Sequence, residues 1–522
     1  MKPLVCELER KPIGAAPQGS KITISARADR ALISRVEIIM RYDNDGCEAY
    51  VPMAWCDLHC GLDCYEVSID TSDYRGLIWY YLRAHTYDGG TIIYGEHGTE
   101  EPRQITIYER KLETPNWYQN GVTYHVFVDR FYRASASPKL LDDPDFIVHQ
   151  DMADKPNYLP DEHGEILNND IYGGNLAGII EKLPYLKTLG VTNIYLSPIF
   201  EAWSNHKYNT ANYECVDSHF GSEEDLKKLT ASARAQGMHV ILDGVFNHTG
   251  ADSLYFNRYG RYKDVGAYQS ESSKFRNWYQ FNSQGYNSWW GIVSLPETNE
   301  ANIEYRNFID EIAKKWLKCG ISGWRLDVAD ELPDDFLQNF RNTVKTEKSD
   351  AVIIGEVWED ASNKIAYDVR RKYFTELELD GVMNYPLKDG ILRFLKGEGS
   401  ACDLRDVIMT LLEHYPEPVL HCLMNIIGTH DTPRVITTLA RPDMLGSSRS
   451  DKANFELSDE ERARGTALVR LAACLQFFFP GSPCIYYGDE AGVEGFEDPF
   501  NRTFYPWNRE DTALREYYRK LG

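Results

Sequence analysis

The chain has 522 residues, of which 43% are hydrophobic, and its 79 acidic residues outnumber 56 lysines and arginines, giving a formal net charge of −23. This hydrophobic share provides for large packed cores and argues against a disordered chain. The negative charge argues against partners whose binding depends on phosphate neutralisation, so we expect neither nucleic acid nor an anionic membrane surface as a partner.

The N-terminal stretch MKPLVCELERKPIG contains no apolar segment of the kind found in a secretory leader. No run approaches the ~18 consecutive apolar residues of a membrane span. The 11 cysteines are odd in number and scattered, which is typical of free thiols in a reducing compartment. We therefore predict a cytoplasmic protein. Cys56, Cys60 and Cys64, with His59 among them, lack the spacing of common zinc sites, so free thiols are favoured over a metal site.

The first 112 residues contain short alternating runs that are bounded by Gly, Asp and Ser. Examples are KITISARA, RVEIIMRY, YEVSID, LIWYYLRAHT and QITIYER. Short strands at near-regular spacing are typical of an antiparallel β-sandwich, which we predict for residues 1–112. Because alternate strand residues point to opposite faces, Trp79 and Tyr81 share one face and Tyr80 lies on the other. These aromatic residues therefore cannot all serve one binding platform.

From residue 113 onward, apolar strands alternate with amphipathic helical patterns such as EEDLKKLTASARAQG. Eight runs are predicted to be strands: 122–128, 191–197, 239–243, 321–327, 351–356, 381–385, 423–429 and 482–488. This alternation predicts an α/β fold, a (β/α)8 barrel over residues 113–522, with a doubly wound sheet as the alternative. The long connection 249–300 is predicted to form a small inserted subdomain after the third strand.

Four acidic residues lie at or just after the C-terminal ends of four predicted strands. Asp243 ends HVILD, Asp327 ends ISGWRLD, Glu356 ends AVIIGE and Asp431 follows LMNIIGTH. In a barrel these ends form one rim, where active sites are built. A single acid at a strand end commonly caps the next helix, but four acids with polar companions favour a site. The companions are Asn247, His248, Arg325, Trp358, His430 and Arg434.

Several carboxylates on one rim indicate glycosidic bond cleavage, which needs an ionised nucleophile and a protonated acid. Arg325 is expected to hold Asp327 ionised, which makes Asp327 the candidate nucleophile. Glu356 follows an apolar run and is expected to have a raised pKa, which makes it the candidate acid. Metal-dependent hydrolysis remains an alternative, although the chain contains no HExxH motif.

The same residues lie in motifs that resemble the α-amylase family of retaining glycoside hydrolases over roughly residues 115–515. DGVFNH, GWRLDVAD, GEVWE and GTHD match the family's four conserved regions in the same order. GVTNIYLSPIF, YGGNLAGI, HKYNTANYECVDSHFG and PGSPCIYYGDE match further family segments. The resemblance implies a barrel enzyme that cleaves α-glucosidic bonds by double displacement.

The resemblance also implies a role for each matching residue. Asp327 matches the nucleophile, Glu356 the general acid/base, and Asp431 the acid that binds the sugar's hydroxyls and stabilises the transition state. Arg325 matches the arginine that orients the nucleophile. The substrate-binding or supporting positions are matched by Tyr208, Asp243, His248, Arg325 and His430, and Arg434 is expected to reach the same site.

The preceding sandwich, the phrase NGVTYHVFVDRF and the segment EGFEDPFNRTFYPW resemble the neopullulanase, cyclomaltodextrinase and amylopullulanase branch. This resemblance implies an α-glucan substrate such as a maltodextrin, pullulan or cyclodextrin, with α-1,4 cleavage and α-1,6 cleavage as an open addition. A glucan transglycosylase and a non-catalytic carbohydrate-binding protein remain alternatives. The N-terminal unit is expected to bind glucan or, as we favour, to have a structural role or support a homodimer.

Two departures from the family pattern affect further expectations. YRASASPK follows DRF where relatives often bind calcium, and Asn175 ends YGGN where Asp is usual. A hard cation needs several oxygen ligands, so we predict no required cofactor and disfavour calcium at that position. The chain also ends at EYYRKLG, where relatives continue into a C-terminal β-sandwich, so that domain is expected to be missing from this chain.

Overall fold

The structure is a computed structural model that describes residues 5–96, 100–134, 145–162, 164, 166–441 and 447–522. The chain separates into two compact units. The first comprises the residues up to Glu113 together with Asp360–Asp380 and Arg405–Leu420. The second, which holds the barrel, comprises Thr114–Glu359, Gly381–Leu404 and His421–Gly522.

The first unit is built on two β-sheets. Its strands are β1 (Val5–Lys11), β2 (Ala16–Pro17), β3 (Lys21–Asp29), β4 (Ile33–Tyr42), β5 (Glu48–Pro52), β6 (Ala54–His59), β7 (Leu62–Asp70), β8 (Gly76–Thr86), β9 (Thr91–Tyr94) and β10 (Arg103–Tyr108). One sheet has the order β1-β3-β7-β6, and the other has β2-β10-β8-β4-β5 with β9 beside β8. Most neighbours are antiparallel, as predicted for a sandwich.

Alternation along these strands builds the core of the first unit. In β3, Ile22 and Ile24 are buried while the residues between them are partly exposed. They pack in one cluster with Tyr80 of β8, which is fully buried. Trp79 and Tyr81 lie on the opposite face of β8 and remain partly exposed. The predicted division of the three aromatic residues is therefore confirmed.

The second unit contains the predicted barrel. The strands after β10 are β11 (Val122–Val126), β12 (Ile147–Val148), β13 (Asp170–Ile171), β14 (Val191–Leu196), β15 (Phe200–Ala202), β16 (Thr210–Val216), β17 (His239–Gly244), β18 (Phe281–Asn282), β19 (Gly285–Tyr286), β20 (Gly323–Leu326), β21 (Val352–Gly355), β22 (Ile365–Ala366), β23 (Val369–Arg370), β24 (Gly381–Val382), β25 (Met424–Ile426) and β26 (Ser482–Tyr486). Of these, β22 and β23 belong to the first unit. The order β24-β21-β20-β17-β14-β11-β26-β25 forms one parallel sheet of eight strands. A parallel bridge between Met383 and Met424 joins its two end strands, which excludes the open, doubly wound alternative.

Helices alternate with these strands. They are α1 (Asn116–Gln119), α2 (Val128–Phe131), α3 (Leu176–Thr188), α4 (Glu223–Ala235), α5 (Ile303–Lys318), α6 (Asp334–Glu347), α7 (Tyr385–Leu395), α8 (Ala401–His414), α9 (Glu417–Leu420), α10 (Val435–Ala440), α11 (Arg449–Ala453), α12 (Asp459–Phe478) and α13 (Thr512–Leu521). Local sequence sets several starts: the Asn175 side chain caps α3, and Ser222 and Ser458 open α4 and α12 with capping boxes. In the ranges that the structure describes, no helix is both long enough and apolar enough to cross a membrane.

The long connection after β17 folds back onto the end of that strand. Phe256 packs edge-on against Tyr279 and Tyr286, with ring centroids 4.8 and 4.6 Å apart. An antiparallel bridge between His248 and Glu297 ties the end of this connection to its beginning. The connection is therefore a packed wall beside the strand ends rather than an open loop.

The closure of the barrel depends on a close approach at Gly381. A Cβ at this position would lie 2.2 Å from the carbonyl oxygen of Cys422, whereas a Cβ at Gly399 would meet nothing nearer than 3.6 Å. We therefore expect Gly381→Ala to lower the free energy of unfolding by ~1–3 kcal/mol through overpacking. Gly399→Ala is the matched control and should be nearly neutral in the same denaturant titration. Equal stability of the two variants would contradict this account of barrel closure.

Candidate active site

The side chain of Arg325 is the centre of a charged cluster at the C-terminal rim of the barrel. Its Nη1 donates to Asp243 Oδ1 at 2.9 Å and to Asp327 Oδ1 at 2.7 Å. Its Nη2 lies 2.8 Å from Glu356 Oε2. The guanidinium is fully buried, and the three carboxylates are nearly so. The structure therefore brings together three of the four acids that the strand ends predicted.

Strand register explains this convergence. Asp243 of β17 is the register partner of Arg325 in β20, and Leu326 of β20 is the partner of Gly355 in β21. Asp327 and Glu356 follow those last two residues directly, so adjacent parallel strands deliver them to the same level of the rim. The residues that end these strands cannot separate without breaking the sheet.

Both oxygens of the Glu356 carboxylate are held in place. The backbone N–H of Val328 donates to Oε2 at 2.9 Å, and the indole N–H of Trp358 donates to Oε1 at 3.1 Å. Trp358 in turn stacks on Tyr385, with ring centroids 4.2 Å apart, and remains 46% exposed. Glu356 is thus oriented beside an indole that is open to a ligand.

The electrostatics of the cluster differ from the prediction made from sequence. We expected Arg325 to hold Asp327 ionised. Burial instead raises the pKa of Asp327 well above its ordinary value, and the carboxylates of Glu356 and Asp243 add to the rise although Arg325 opposes it. Burial also raises the pKa of Asp243. The prediction considered only the arginine beside Asp327, whereas burial and two neighbouring carboxylates outweigh the effect of the arginine on its pKa.

The fourth acid, Asp431, lies in the turn that follows β25. Asp431 Oδ1 lies 3.2 Å from His430 Nε2, and the His430 ring stacks on Tyr208 with centroids 4.9 Å apart. The hydroxyl of Tyr208 donates to Asp243 Oδ2 at 3.0 Å, which links this side to the Arg325 cluster. Desolvation in the cleft, with the charge of Glu356, raises the pKa of Asp431 to about 7.

The histidines of the cleft are neutral at physiological pH. Burial lowers the pKa of His248 to about 4 and that of His206 to about 3, and it lowers the pKa of His430 well below its ordinary value. Within the described residues, the buried Nε2 of His248 has no hydrogen-bond partner. A neutral imidazole with an unused nitrogen suits a hydrogen bond to a ligand hydroxyl.

Aromatic rings extend the cleft away from the charged cluster. His248 stacks on Trp289, and Trp289 stacks on Trp290, each pair with ring centroids 5.0 Å apart. Trp290 is 78% exposed and has a φ of 51°, a left-handed conformation that is unfavourable for an indole side chain. Its Nε1 donates to Glu331 at 3.2 Å, which helps to hold the ring in the wall.

Together these groups line a cleft of about 690 Å³. Its lining residues are His206, Tyr208, His248, Trp289, Trp290, Ile292, Leu295, Asp327, Val328, Asp330, Glu331, Glu356, Trp358, Glu359, His430, Asp431, Asp498 and Arg502. Flat aromatic surfaces beside carboxylates and neutral imidazoles fit the apolar faces and hydroxyls of a sugar chain. The arrangement can donate a proton, supply a carboxylate nucleophile and stabilise positive charge.

Arg434 is placed differently from the sequence expectation. It is fully buried outside the cleft lining, and its Nη1 donates to the Tyr487 carbonyl at 2.5 Å and to Asp489 at 3.1 Å. The basic residue in the cleft is Arg502, which sequence reasoning missed. Arg502 contacts Asp498 at 3.0 Å and lies 3.7 Å from Asp431. Asp498 and Arg502 are four residues apart in the sequence DPFNR. This spacing could have indicated the ion pair.

The two buried carboxylates near α2 pair with a protein cation. Arg130 pairs with Asp129 at 3.0 Å and with Asp170 at 3.3 Å, and all three side chains are buried. The Asn175 side chain accepts from the Gly178 N–H at 2.8 Å as the cap of α3. Here a protein guanidinium supplies the positive charge. Of the segment 132–139 on which the calcium expectation also rested, residues 135–139 lie outside the described residues.

Comparison with known proteins agrees with this geometry. The family model described as "Alpha amylase, catalytic domain" matches residues 125–519. An amylopullulanase from Thermoanaerobacterium saccharolyticum is 36% identical over 98% of this chain and 43% of its own length. A cyclomaltodextrinase from Geobacillus thermopakistaniensis is 33% identical over 88% of this chain and 74% of its own length. The chain thus spans less than half the length of the amylopullulanase it matches.

Solved structures show the same similarity. The type III pullulan hydrolase from Thermococcus kodakarensis superposes with a TM-score of 0.67 at 26% identity. The similarity covers 98% of this chain and 85% of that one. It therefore extends over both units and is not restricted to the barrel.

The raised pKa of Asp431 leads to a prediction about stability. Below pH ~4 the acid is protonated in both states, and between the ordinary value of 3.8 and about 7 only the folded chain keeps the proton. Its stabilising contribution is therefore lost as pH rises through this window. We expect the melting temperature of Asp431→Asn to rise relative to that of wild type as pH increases from 4 to 7. Above pH 8 this difference should stay constant. Because the side chain is 32% exposed, solvent screening will limit the size of the gain. A pH-independent difference in melting temperature would contradict this prediction.

Proposed function

Because this chain belongs to the alpha-amylase family, we propose that it is a retaining glycoside hydrolase that cleaves α-1,4-glucosidic bonds in maltodextrins, pullulan or cyclodextrins. The observation that carries the proposal is the cluster of Asp327 and Glu356 around Arg325, set in a cleft lined with aromatic rings. Two of the three relatives described above are named for pullulan, which supports α-1,6 cleavage as an additional activity.

The reaction proceeds by double displacement. A carboxylate oxygen of Asp327 attacks the anomeric carbon while Glu356 transfers its proton to the departing glycosidic oxygen, which leaves as an alcohol. Glu356, now a carboxylate, then removes a proton from water, and the water oxygen displaces Asp327 from the anomeric carbon. The cluster suits this cycle because Arg325 contacts the carboxylates of both Asp327 and Glu356 and holds them in one cleft.

Other groups in the cleft bind and polarise the sugar. Asp431 accepts hydrogen bonds from ring hydroxyls and stabilises positive charge on the anomeric carbon. The neutral His248 and His430 bind hydroxyls beside it, and Tyr208 offers its ring face. The exposed indole of Trp358 lies next to Glu356 and therefore on the leaving-group side. An acceptor sugar stacked there would compete with water, which favours transglycosylation as the second candidate activity.

Three finer points are part of the proposal. The cysteines whose side chains the structure describes are free thiols, which supports a cytoplasmic location. Exposed Tyr50 and Trp55 on the edge strands β5 and β6 support self-association through the first unit. The pairing of Arg130 with Asp129 and Asp170 supports activity without calcium.

Product analysis on pullulan, maltohexaose and β-cyclodextrin tests the proposed reaction. We expect reducing sugar from at least one substrate and a loss on the order of 10⁴-fold or more in Asp327→Asn, since the nucleophile is removed. Panose from pullulan would show α-1,4 cleavage, maltotriose would show α-1,6 cleavage, and longer products would show transfer. Asp73→Asn, at an exposed turn in the first unit, is the matched control and should keep full activity. A folded wild type that yields no product from any substrate would refute the proposal.

The different positions of the two arginines lead to opposite expectations. Arg502→Ala should raise KM or lower kcat/KM by about tenfold or more with modest loss of stability, because it removes a charged donor from the cleft. Arg434→Ala should instead lower the free energy of unfolding by ~3–5 kcal/mol, because Asp489 loses its buried partner. Steady-state kinetics and denaturant unfolding of both variants distinguish the roles. A stable Arg434→Ala variant with a lowered kcat/KM would contradict this assignment and indicate that Arg434 binds substrate.

A further inference from the structure

A second cavity lies in the barrel unit and is as large as the catalytic cleft. Its volume is about 700 Å³. Its walls come from residues 152–156, from the α11–α12 region and from the stretch 491–511 that follows β26. Among the described residues, the linings of the cavity and the cleft have none in common. The proposed reaction assigns no role to this cavity.

Aromatic and aliphatic side chains form part of the cavity wall. Buried Ile436, Phe500 and Phe504 form part of it. Phe455 and Phe496, which are only partly buried, pair edge to face in its wall with ring centroids 5.2 Å apart. Exposed phenyl faces in a concave site provide flat surfaces for the C–H face of a pyranose ring.

The rim of the cavity is polar and nearly balanced in charge. The acidic lining residues are Asp154, Glu456, Glu494, Glu510 and Asp511, and the basic ones are Lys155, Lys452, Arg462 and Arg509. Arg462 pairs with Glu494, and Lys452 pairs with Glu497. An anionic ligand would require a surplus of cations and a cationic ligand a surplus of carboxylates. Balanced donors and acceptors around apolar walls instead fit a neutral polyhydroxylated ligand.

One segment separates the cavity from the cleft. Phe496 and Phe500 line the cavity, whereas Asp498 and Arg502, in the same segment, line the cleft. Four residues of extended chain span at most ~14 Å, so the two sites lie within a short distance of each other. The cavity and the cleft are therefore neighbouring sites on the barrel unit.

We propose that this cavity is a second binding site for a short stretch of neutral α-glucan, separate from the catalytic cleft. The choice of α-glucan rests on the proposed function, whereas the preference for a neutral polyhydroxylated ligand rests on the cavity itself. Phe455 and Phe496 provide the stacking surface, and Arg509 and Glu494 on the rim provide hydrogen bonds to hydroxyls. The site binds sugar without cleaving it, because the catalytic acids lie in the other lining.

Calorimetric titration of the full chain with maltotriose tests the proposal. Asp327→Asn is used as the background so that the sugar is not consumed. We expect two molecules bound per chain. Phe455→Ala with Phe496→Ala should reduce this to one, by weakening the cavity site about tenfold or more through loss of both ring contacts. The matched control is Phe478→Ala, which removes an 80% exposed phenyl group away from the cavity and should leave two sites.

A cleft variant separates this proposal from the proposed function. In the same background, Tyr208→Ala should abolish cleft binding and leave the cavity site. A single site that is lost only in Phe455→Ala/Phe496→Ala would support the cavity and count against the proposed function. A single site that is lost only in Tyr208→Ala would overturn the cavity proposal and leave the proposed function intact. No binding at all would overturn the cavity proposal.

If the double variant does not fold, Arg509→Ala provides the same test with little risk to folding, because Arg509 is exposed at the cavity rim. We expect a severalfold weaker second site and an unchanged cleft site. Two unchanged affinities in Arg509→Ala would overturn the proposal.

Discussion

The contact between Arg325 and three carboxylates is the interaction on which the site depends. A fully buried guanidinium is costly unless it is paired, and Asp243, Asp327 and Glu356 provide that pairing from three adjacent strands. The dependence is mutual, because without the arginine three buried carboxylates would lie close together with no opposite charge between them. The register of the strands therefore determines which charged groups meet in the site. A shift in the pairing of β17, β20 or β21 would disrupt both the sheet and the site.

The cluster contains more carboxylates than cations, and this excess determines its acid–base chemistry. If Arg325 had a single acid as its partner, the result would be an inert ion pair, which is what many buried arginines form. Three acids share one guanidinium, and burial raises the pKa of Asp327 and of Asp243. Double displacement needs both an ionised and a protonated carboxyl group within one cleft. The electrostatic strain of the cluster is therefore consistent with the proposed reaction rather than a defect of packing.

Strands and connections have different tasks in this chain. The strand ends hold the groups that exchange protons and bonds, and their positions are set by hydrogen bonds of the sheet. The connections supply the binding surface: Trp289 and Trp290 come from the long connection after β17, and Arg502 comes from the stretch after β26. Such division lets connections vary the bound ligand while the rim stays constant. The second cavity is also built almost entirely from connections, in keeping with a binding role.

The sequence by itself determined the barrel, its eight strands and the acids at their ends, because apolar runs and strand-end positions are local patterns with a direct structural meaning. It also determined the faces of Trp79, Tyr80 and Tyr81 through strand alternation. Only the tertiary structure decided which charges meet. Asp327 is close to Arg325 in sequence, but the carboxylates that raise its pKa come from neighbouring strands. Arg434 lies three residues after the GTHD motif, yet its side chain pairs with Asp489. Arg502, from a distant connection, lines the cleft instead. Electrostatic interactions depend on distance in space, and a linear pattern does not contain that distance.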